Sequence, residues 1–172
     1  YKSWSDCGCY VHNGFYKSVQ GVTNRTLSVV KVLKKRFPSY KVVLTGHSYG
    51  ASTAQLLGME LEKEGIKVEL YNYGQPRVGD AKYAGFVNTV IEDYWRFTHD
   101  RDIVPHVPPI VTLGYLHSCR EVFEDETGKL EICSEVDCED PSCSKRYSIS
   151  ETNVEDHSYY LGHRVNCENS VL

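Results

Sequence analysis

Short β-branched runs alternate along this chain with longer stretches in which apolar residues recur every third or fourth position. Val42-Val43-Leu44-Thr45, Lys67 to Tyr73 and Tyr94 to Thr98 have the composition of strands. Between them, Val22, Leu27, Val29, Val30, Leu33 and Phe37 are opposed by Asn24, Arg25, Lys31 and Lys35, which predicts a helix over 22–37 that covers one face of a sheet, with Asn24 on its wet side. Pro38 ends it. A second helix begins at Tyr49 with the small residues Gly50, Ala51, Ser52 and Ala54, turns polar at Glu60, Glu62, Lys63 and Glu64, and stops at Gly65. A third spans Ala81 to Ile91 with Tyr83, Phe86 and Val90 inward. Strand, helix, strand in this order is a βαβ crossover, so the sheet is parallel and the class α/β.

The flanks are less regular. Trp4 to Cys9 is polar and Gly-interrupted and reads as irregular, while Val11 to Phe15 reads as a strand end entering a turn, with a structural role for His12. Gly74 to Asp80 is turn chemistry at a strand's C-terminal end, where open α/β sheets place ligands. Pro105, Pro108 and Pro109 imply an extended path. Tyr115 to Phe123 and Leu130 to Cys133 flank Glu124-Asp125-Glu126-Thr127-Gly128 as a hairpin that sets Cys119 roughly opposite Cys133. Glu135 to Arg146 is an acidic, cysteine-rich loop held by bridges rather than by a core.

At 172 residues and 41% hydrophobic, the chain suits one domain over 1–172. A net charge of −4 gives no electrostatic case for nucleic acid, and Lys34-Lys35-Arg36 is the solvated end of a helix. No apolar run is long enough to span a bilayer, and Tyr1-Lys2-Ser3-Trp4 is not a signal peptide, so a secreted form would already be processed. Secretion is nevertheless the expectation. Seven cysteines, Cys7, Cys9, Cys119, Cys133, Cys138, Cys143 and Cys167, point to an oxidising compartment, and Asn24-Arg25-Thr26 is a glycosylation acceptor. The spacings of Cys133, Cys138 and Cys143 do not match closed zinc sites, so neither metal nor cofactor is expected. Cys7-Gly8-Cys9 would close a small strained ring, which argues against that bridge. An odd count leaves at least one sulfur free or bonded outside the chain.

The chemistry gathers at Gly46-His47-Ser48-Tyr49-Gly50, which joins the strand from Lys41 to the helix from Tyr49. A Gly-x-Ser-x-Gly pentapeptide between strand and helix is a nucleophile elbow: the turn is so tight that side chains two before and two after the serine would collide. Ser48 is the candidate nucleophile, and the N-terminal N–H groups of the next helix, Tyr49 first, face developing negative charge as half of an oxyanion hole. A serine hydroxyl needs a base and an orienting carboxylate, which follow in α/β-hydrolases in the order Ser, Asp or Glu, His. Asp100 and Asp102 both leave the strand at Tyr94 to Thr98, and His157 and His163 both lie in the C-terminal segment, so these residues alone leave two candidates for each role.

Val11-His12-Asn13-Gly14-Phe15, Val43 to Ala51, Tyr73 to Gly79, Asp102 to Pro109 and Asp156 to Gly162 resemble, in order, the successive motifs of class 3 lipases, the filamentous-fungal type. The resemblance implies an α/β-hydrolase with a mostly parallel central sheet flanked by helices, Ser48 as nucleophile, Asp102 as orienting acid and His157 as base. It sets Asp100 and His163 aside. By the same resemblance Cys133 pairs with Cys143 and Cys167 with a cysteine of an N-terminal segment, leaving Cys119 and Cys138 as an extra pair. The chain departs from the family by carrying Tyr49 where leucine is commoner. It also has no Arg-Gly turn to supply a second oxyanion donor and no counterpart of the early strands and lid, so it resembles the C-terminal two-thirds of such an enzyme.

Three functions follow as expectations. The first is a secreted serine carboxylic-ester hydrolase acting on acylglycerol esters through an acyl-enzyme, with an N-terminal chain tethered through Cys167. The second is a feruloyl-type esterase acting on aromatic acyl esters, hinted at by Tyr49 and thirteen tyrosines. The third, of another class, is a catalytically dead binding fragment.

Overall fold

The computed structural model describes residues 2–4 and 6–165. Strands β1 (Lys2–Trp4) and β2 (Cys9–Val11) pair antiparallel at the N-terminal end. Helix α1 (Asn13–Arg36) leads to β3 (Val42–His47), α2 (Tyr49–Lys63) and β4 (Val68–Tyr73). Next come β5 (Gly79–Asp80), α3 (Ala81–Val90), β6 (Asp93–His99), α4 (Ile110–Leu113) and β7 (Tyr115–Leu116). The chain continues through β8 (Glu121–Glu124), β9 (Leu130–Ile132), β10 (Tyr159–Tyr160) and β11 (His163–Arg164). The central sheet runs β3-β4-β6-β8-β9, with the first four strands parallel and β9 antiparallel to β8. A smaller antiparallel sheet, β1-β2-β5-β7, lies beside it.

Alternation along β4 and β6 decides what the sheet buries. Val68 and Leu70 of β4 and Tyr94 of β6 join one core with Leu56, Met59 and Leu61 of α2 and Tyr83 and Val87 of α3. On the opposite face, Tyr71 and Tyr73 stand level with Trp95 and Phe97, all half-buried. Helix α1 packs chiefly on α2, through Phe15 and Val19 with Leu27 and Val30, rather than on the sheet itself. Of its expected inner residues, Val22, Val29 and Leu33 remain about half exposed, as does Val43 on β3.

Several expectations need correction. Helix α1 begins nine residues before Val22, because the His12 imidazole caps it by accepting Phe15 N–H at 3.4 Å; this cap lies outside the usual Ser, Thr, Asp or Asn set. Trp4 is not in irregular chain but in β1, buried against Tyr16 and Tyr83. The proline-rich segment folds into a 3₁₀ turn at Val104–His106 and the short α4 instead of running extended. The long hairpin is shorter than expected: β7 belongs to the smaller sheet and Arg120 adopts φ 65°, so Cys133 donates its N–H to Glu121 and does not face Cys119. The bridges are Cys119–Cys138, Cys133–Cys143 and Cys7–Cys9, with Cα separations of 4.3, 6.2 and 5.2 Å. The Cys7–Cys9 ring therefore closes against expectation; Gly8 between them takes φ 59°. Cys167 lies outside the described residues.

The turn from β3 into α2 constrains its two glycines unequally. A Cβ on Gly46 would lie 2.4 Å from the carbonyl carbon and oxygen of Gly50, whereas one on Gly50 would meet nothing within 4 Å. The expected collision is thus one-sided: the backbone of residue 50 needs residue 46 to be glycine. Gly46→Ala should cost about 1–3 kcal/mol of stability, and Gly50→Ala should stay within about 0.5 kcal/mol of the parent, both read from urea unfolding midpoints.

Candidate active site

The register of the parallel strands builds the site. His47, Tyr73 and Phe97 are aligned across β3, β4 and β6, so the chain leaves all three strands at one edge. Ser48 stands there with φ 56° and ψ −125°, a backbone state costly for any residue with a side chain. It is held by its N–H to the Tyr73 carbonyl at 2.9 Å, and its own carbonyl accepts Ala51 N–H at 3.0 Å as α2 begins. Tyr49 is the first residue of α2, and its N–H has no acceptor within the helix by geometry. Its half-exposed ring packs edge-on to Phe15 at 5.3 Å, and its hydroxyl meets that of Ser18.

Asp102 is buried, with 1% of its surface exposed. Its Oδ1 accepts Val104 N–H at 2.8 Å, and Oδ2 accepts both His157 Nδ1 at 2.8 Å and the Tyr160 hydroxyl at 2.5 Å. An imidazole nitrogen facing a carboxylate carries the proton, which leaves Nε2 of neutral His157 as the basic nitrogen. Tyr160 stays a donor, because burial and then the neighbouring Asp102 charge hold its phenol well above the ordinary range. Gly74, at φ 54°, forms the floor beneath them: a Cβ there would lie 2.8 Å from the Tyr160 oxygen and 2.9 Å from His157 Nδ1. Because Tyr73 holds Ser48 and Gly74 underlies His157, one dipeptide carries both.

The structure therefore brings Asp102 and His157 together at the sheet edge that carries Ser48, over the Gly74 that follows Tyr73, and leaves the other candidates apart. Asp100, at φ 31°, instead accepts the Tyr147 hydroxyl at 2.8 Å. His163 is exposed in β11. Asn24 is exposed on α1, on the side away from Val22, Val29 and Leu33.

Five contributors carried no role in the sequence reading. Tyr160 and Gly74 have just been described. His47 donates Nε2–H to the His157 carbonyl at 2.8 Å and stacks on its ring at 4.4 Å. Burial, then the adjacent His157, lowers the His47 pKa and favours the neutral form. Arg77, 3% exposed in the turn after β4, forks onto Glu139 through Nε at 2.7 Å and Nη2 at 2.8 Å. Burial alone would raise the Glu139 pKa, but the Arg77 hydrogen bonds and the nearby positive groups lower it from 4.5 to about 2. The usable signal for Arg77 was a lone cation in the turn between β4 and β5, whose other residues, 74–76 and 78, are uncharged. Glu139 gave none, being one of several acids in its loop. Among the described residues, no cluster of His, Cys, Asp or Glu could hold a metal ion, and no helix is long and apolar enough to cross a membrane.

A parallel sheet with a strained serine between strand and helix, and an Asp–His pair beside it, defines the α/β-hydrolase fold. The sequence profile of "Lipase (class 3)" matches residues 1–112. The lipase of Rhizomucor miehei is 38% identical over 162 residues, covering 90% of this chain and 44% of that protein. Secreted mono- and diacylglycerol lipase 1 of Fusarium solani is 40% identical over 118 residues, covering 69% of this chain and 35% of that protein. The solved Rhizomucor miehei triacylglyceride lipase superposes with a TM-score of 0.87 at 37% identity, covering 95% of this chain and 63% of that one. The chain belongs to the class 3 lipase family, and it spans less than half the length of the curated relatives it matches.

A carboxylate depressed in the folded state is protonated first in the unfolded chain on acidification. The Glu139 contribution to stability is therefore fully present above about pH 4.5 and is lost as pH falls towards 2. The difference in unfolding free energy between the parent and Glu139→Gln should narrow across that window; a difference that is constant with pH would contradict the assignment.

Proposed function

We propose that the chain carries the catalytic half of a secreted carboxylic-ester hydrolase that cleaves acylglycerol esters through an acyl-enzyme. Ser48 is the nucleophile, His157 the general base and later general acid, and Asp102 the carboxylate that fixes the imidazole tautomer and stabilises its charged form. Tyr49 N–H donates to the oxyanion. The observation that carries this reading is the Asp102–His157 hydrogen bond over Gly74, next to the serine held by Tyr73. The His157–Ser48 proton transfer is the link the proposal adds. The names of the relatives support the substrate class and secretion, and the bridged cysteines agree with an oxidising compartment.

The same reading includes a partner segment from outside these residues. Among the described residues strand β3 pairs only with β4, and beside it a groove of about 390 Å³ is lined by Val30, Leu33, Phe37, Tyr40, Val42 and Val43, with Lys34 and Lys41 at its rim. An open edge beside exposed apolar side chains is a surface that proteins cover. We propose that an N-terminal segment tethered through Cys167 covers it and supplies the second oxyanion donor, and that Asn24 carries a glycan clear of that surface. A second reading, an esterase for aromatic acyl groups, is favoured by the Tyr49 ring, fixed by Phe15 and Ser18 beside the elbow.

Ser48→Ala and His157→Ala should each abolish ester hydrolysis without unfolding the chain, Asp102→Asn should lower kcat by roughly 10³- to 10⁴-fold, and Asp100→Asn should have little effect. An organophosphonate should label Ser48, and acylglycerol and aromatic esters assayed side by side decide between the two substrates. A folded chain that takes no label would instead be a binding fragment, and a damaging Asp100→Asn would move the acid to Asp100.

A further inference from the structure

Among the described residues, four consecutive carbonyls of the loop that follows Asp102 are held by two residues. Arg77 takes three of them: its N–H donates to Val107 O at 2.9 Å, and its Nη1 donates to His106 O at 2.5 Å and Pro108 O at 3.0 Å. His117 takes the fourth, through Nε2 to Pro105 O at 2.7 Å. A carbonyl can only accept, so His117 Nε2 carries its proton. Both donors converge on Glu139, whose Oε1 accepts His117 N–H at 3.0 Å in addition to the Arg77 fork. Glu139 lies next to Cys138, in the loop that the Cys119–Cys138 and Cys133–Cys143 bridges fix against β8 and β9.

We infer that Glu139 is a positioning residue for the Asp102–His157 pair, acting through Arg77 and His117 on the backbone at 105–108. This rests on the functional reading above and extends it to a loop that no sequence motif marks. The physical reason is charge. A guanidinium buried as deeply as that of Arg77 is costly without a counter-ion, and the fork onto one carboxylate also fixes its plane. Without the carboxylate, the Arg77 side chain turns towards water and releases the His106 and Pro108 carbonyls together, leaving only its backbone N–H on Val107. Asp102 receives a backbone N–H from Val104 inside the same loop, so a shift at 105–108 is passed to the carboxylate that holds His157. Glu139 touches neither the substrate nor the reacting atoms.

The test uses the full-length secreted protein with Glu139→Gln and, separately, Arg77→Lys, which keeps the charge but loses the fork. Positioning predicts a kcat lowered roughly 10- to 100-fold with KM changed less than about twofold. It also predicts loss or displacement of the low-field proton resonance of the Asp102–His157 hydrogen bond, and a phosphonate labelling rate at Ser48 that falls in parallel with kcat. A folded Glu139→Gln protein that keeps its kcat and its low-field resonance overturns the inference, even if its Tm drops. Failure of both variants to fold also overturns it and assigns the network to stability alone. If phosphonate does not label Ser48 in the parent protein, the functional reading fails instead, and the low-field resonance still decides whether Glu139 positions the pair.

Discussion

A carboxylate removed from water has to be surrounded by donors, and the site is built around the way Asp102 meets that demand. Its three donors come from places far apart in the chain: Val104 N–H from its own loop, and the His157 imidazole and Tyr160 hydroxyl from the C-terminal segment. Each donor that satisfies the buried charge also fixes something the chemistry uses. His157 gains its tautomer and ring plane, and Tyr160 packs the segment against Tyr73 and His47. The segment is held at the sheet edge by other bonds as well, Arg101 N–H to Asp156 and Leu161 N–H to Glu124 among them, so the Asp102 charge sets its fine placement.

The sheet supplies the fixed frame for this arrangement. Parallel pairing brings the ends of β3, β4 and β6 to one edge, so the serine, the glycine floor and the acid loop are neighbours although they are distant in sequence. The loops at that edge have little regular hydrogen bonding of their own, and buried side chains take its place: Arg77 and His117 on the acid loop, His47 on the His157 loop. Arg96 and Glu121 do the same within the sheet, paired at 2.9 Å where Thr98 and Ser144 also bond the carboxylate. Such polar networks hold geometry tightly only when they are completed, which is why an acidic loop remote from the serine can matter to it.

The covering of the sheet is uneven, and that shapes the proposed requirement for a further segment. The face under α2 and α3 is a closed core, whereas the face carrying Tyr71, Tyr73, Trp95 and Phe97 is half open and, among the described residues, one edge of β3 has no partner strand. The exposed Val22, Val29 and Leu33 of α1 belong to the same unfinished surface.

Local rules carried much of this chain. The strands at Val42, Val68 and Tyr94, the helices from Tyr49 and Ala81, and the elbow at Ser48 were legible because period, caps and glycines act within a few residues, and βαβ order alone implies parallel strands. Local rules failed where a distant partner decides. His12 became a helix cap, and Trp4 entered a strand because β2 pairs with it. The hairpin broke at Arg120, so Cys133 faces Glu121 and not Cys119, while the bridges Cys119–Cys138 and Cys133–Cys143 are the pairs the family resemblance implied. Residue type and spacing left Asp100 level with Asp102, and His163 level with His157. Only the folded chain turns Asp100 to Tyr147 and brings Asp102 under His157, because which carboxylate meets which imidazole depends on a contact across 55 residues that no local pattern encodes.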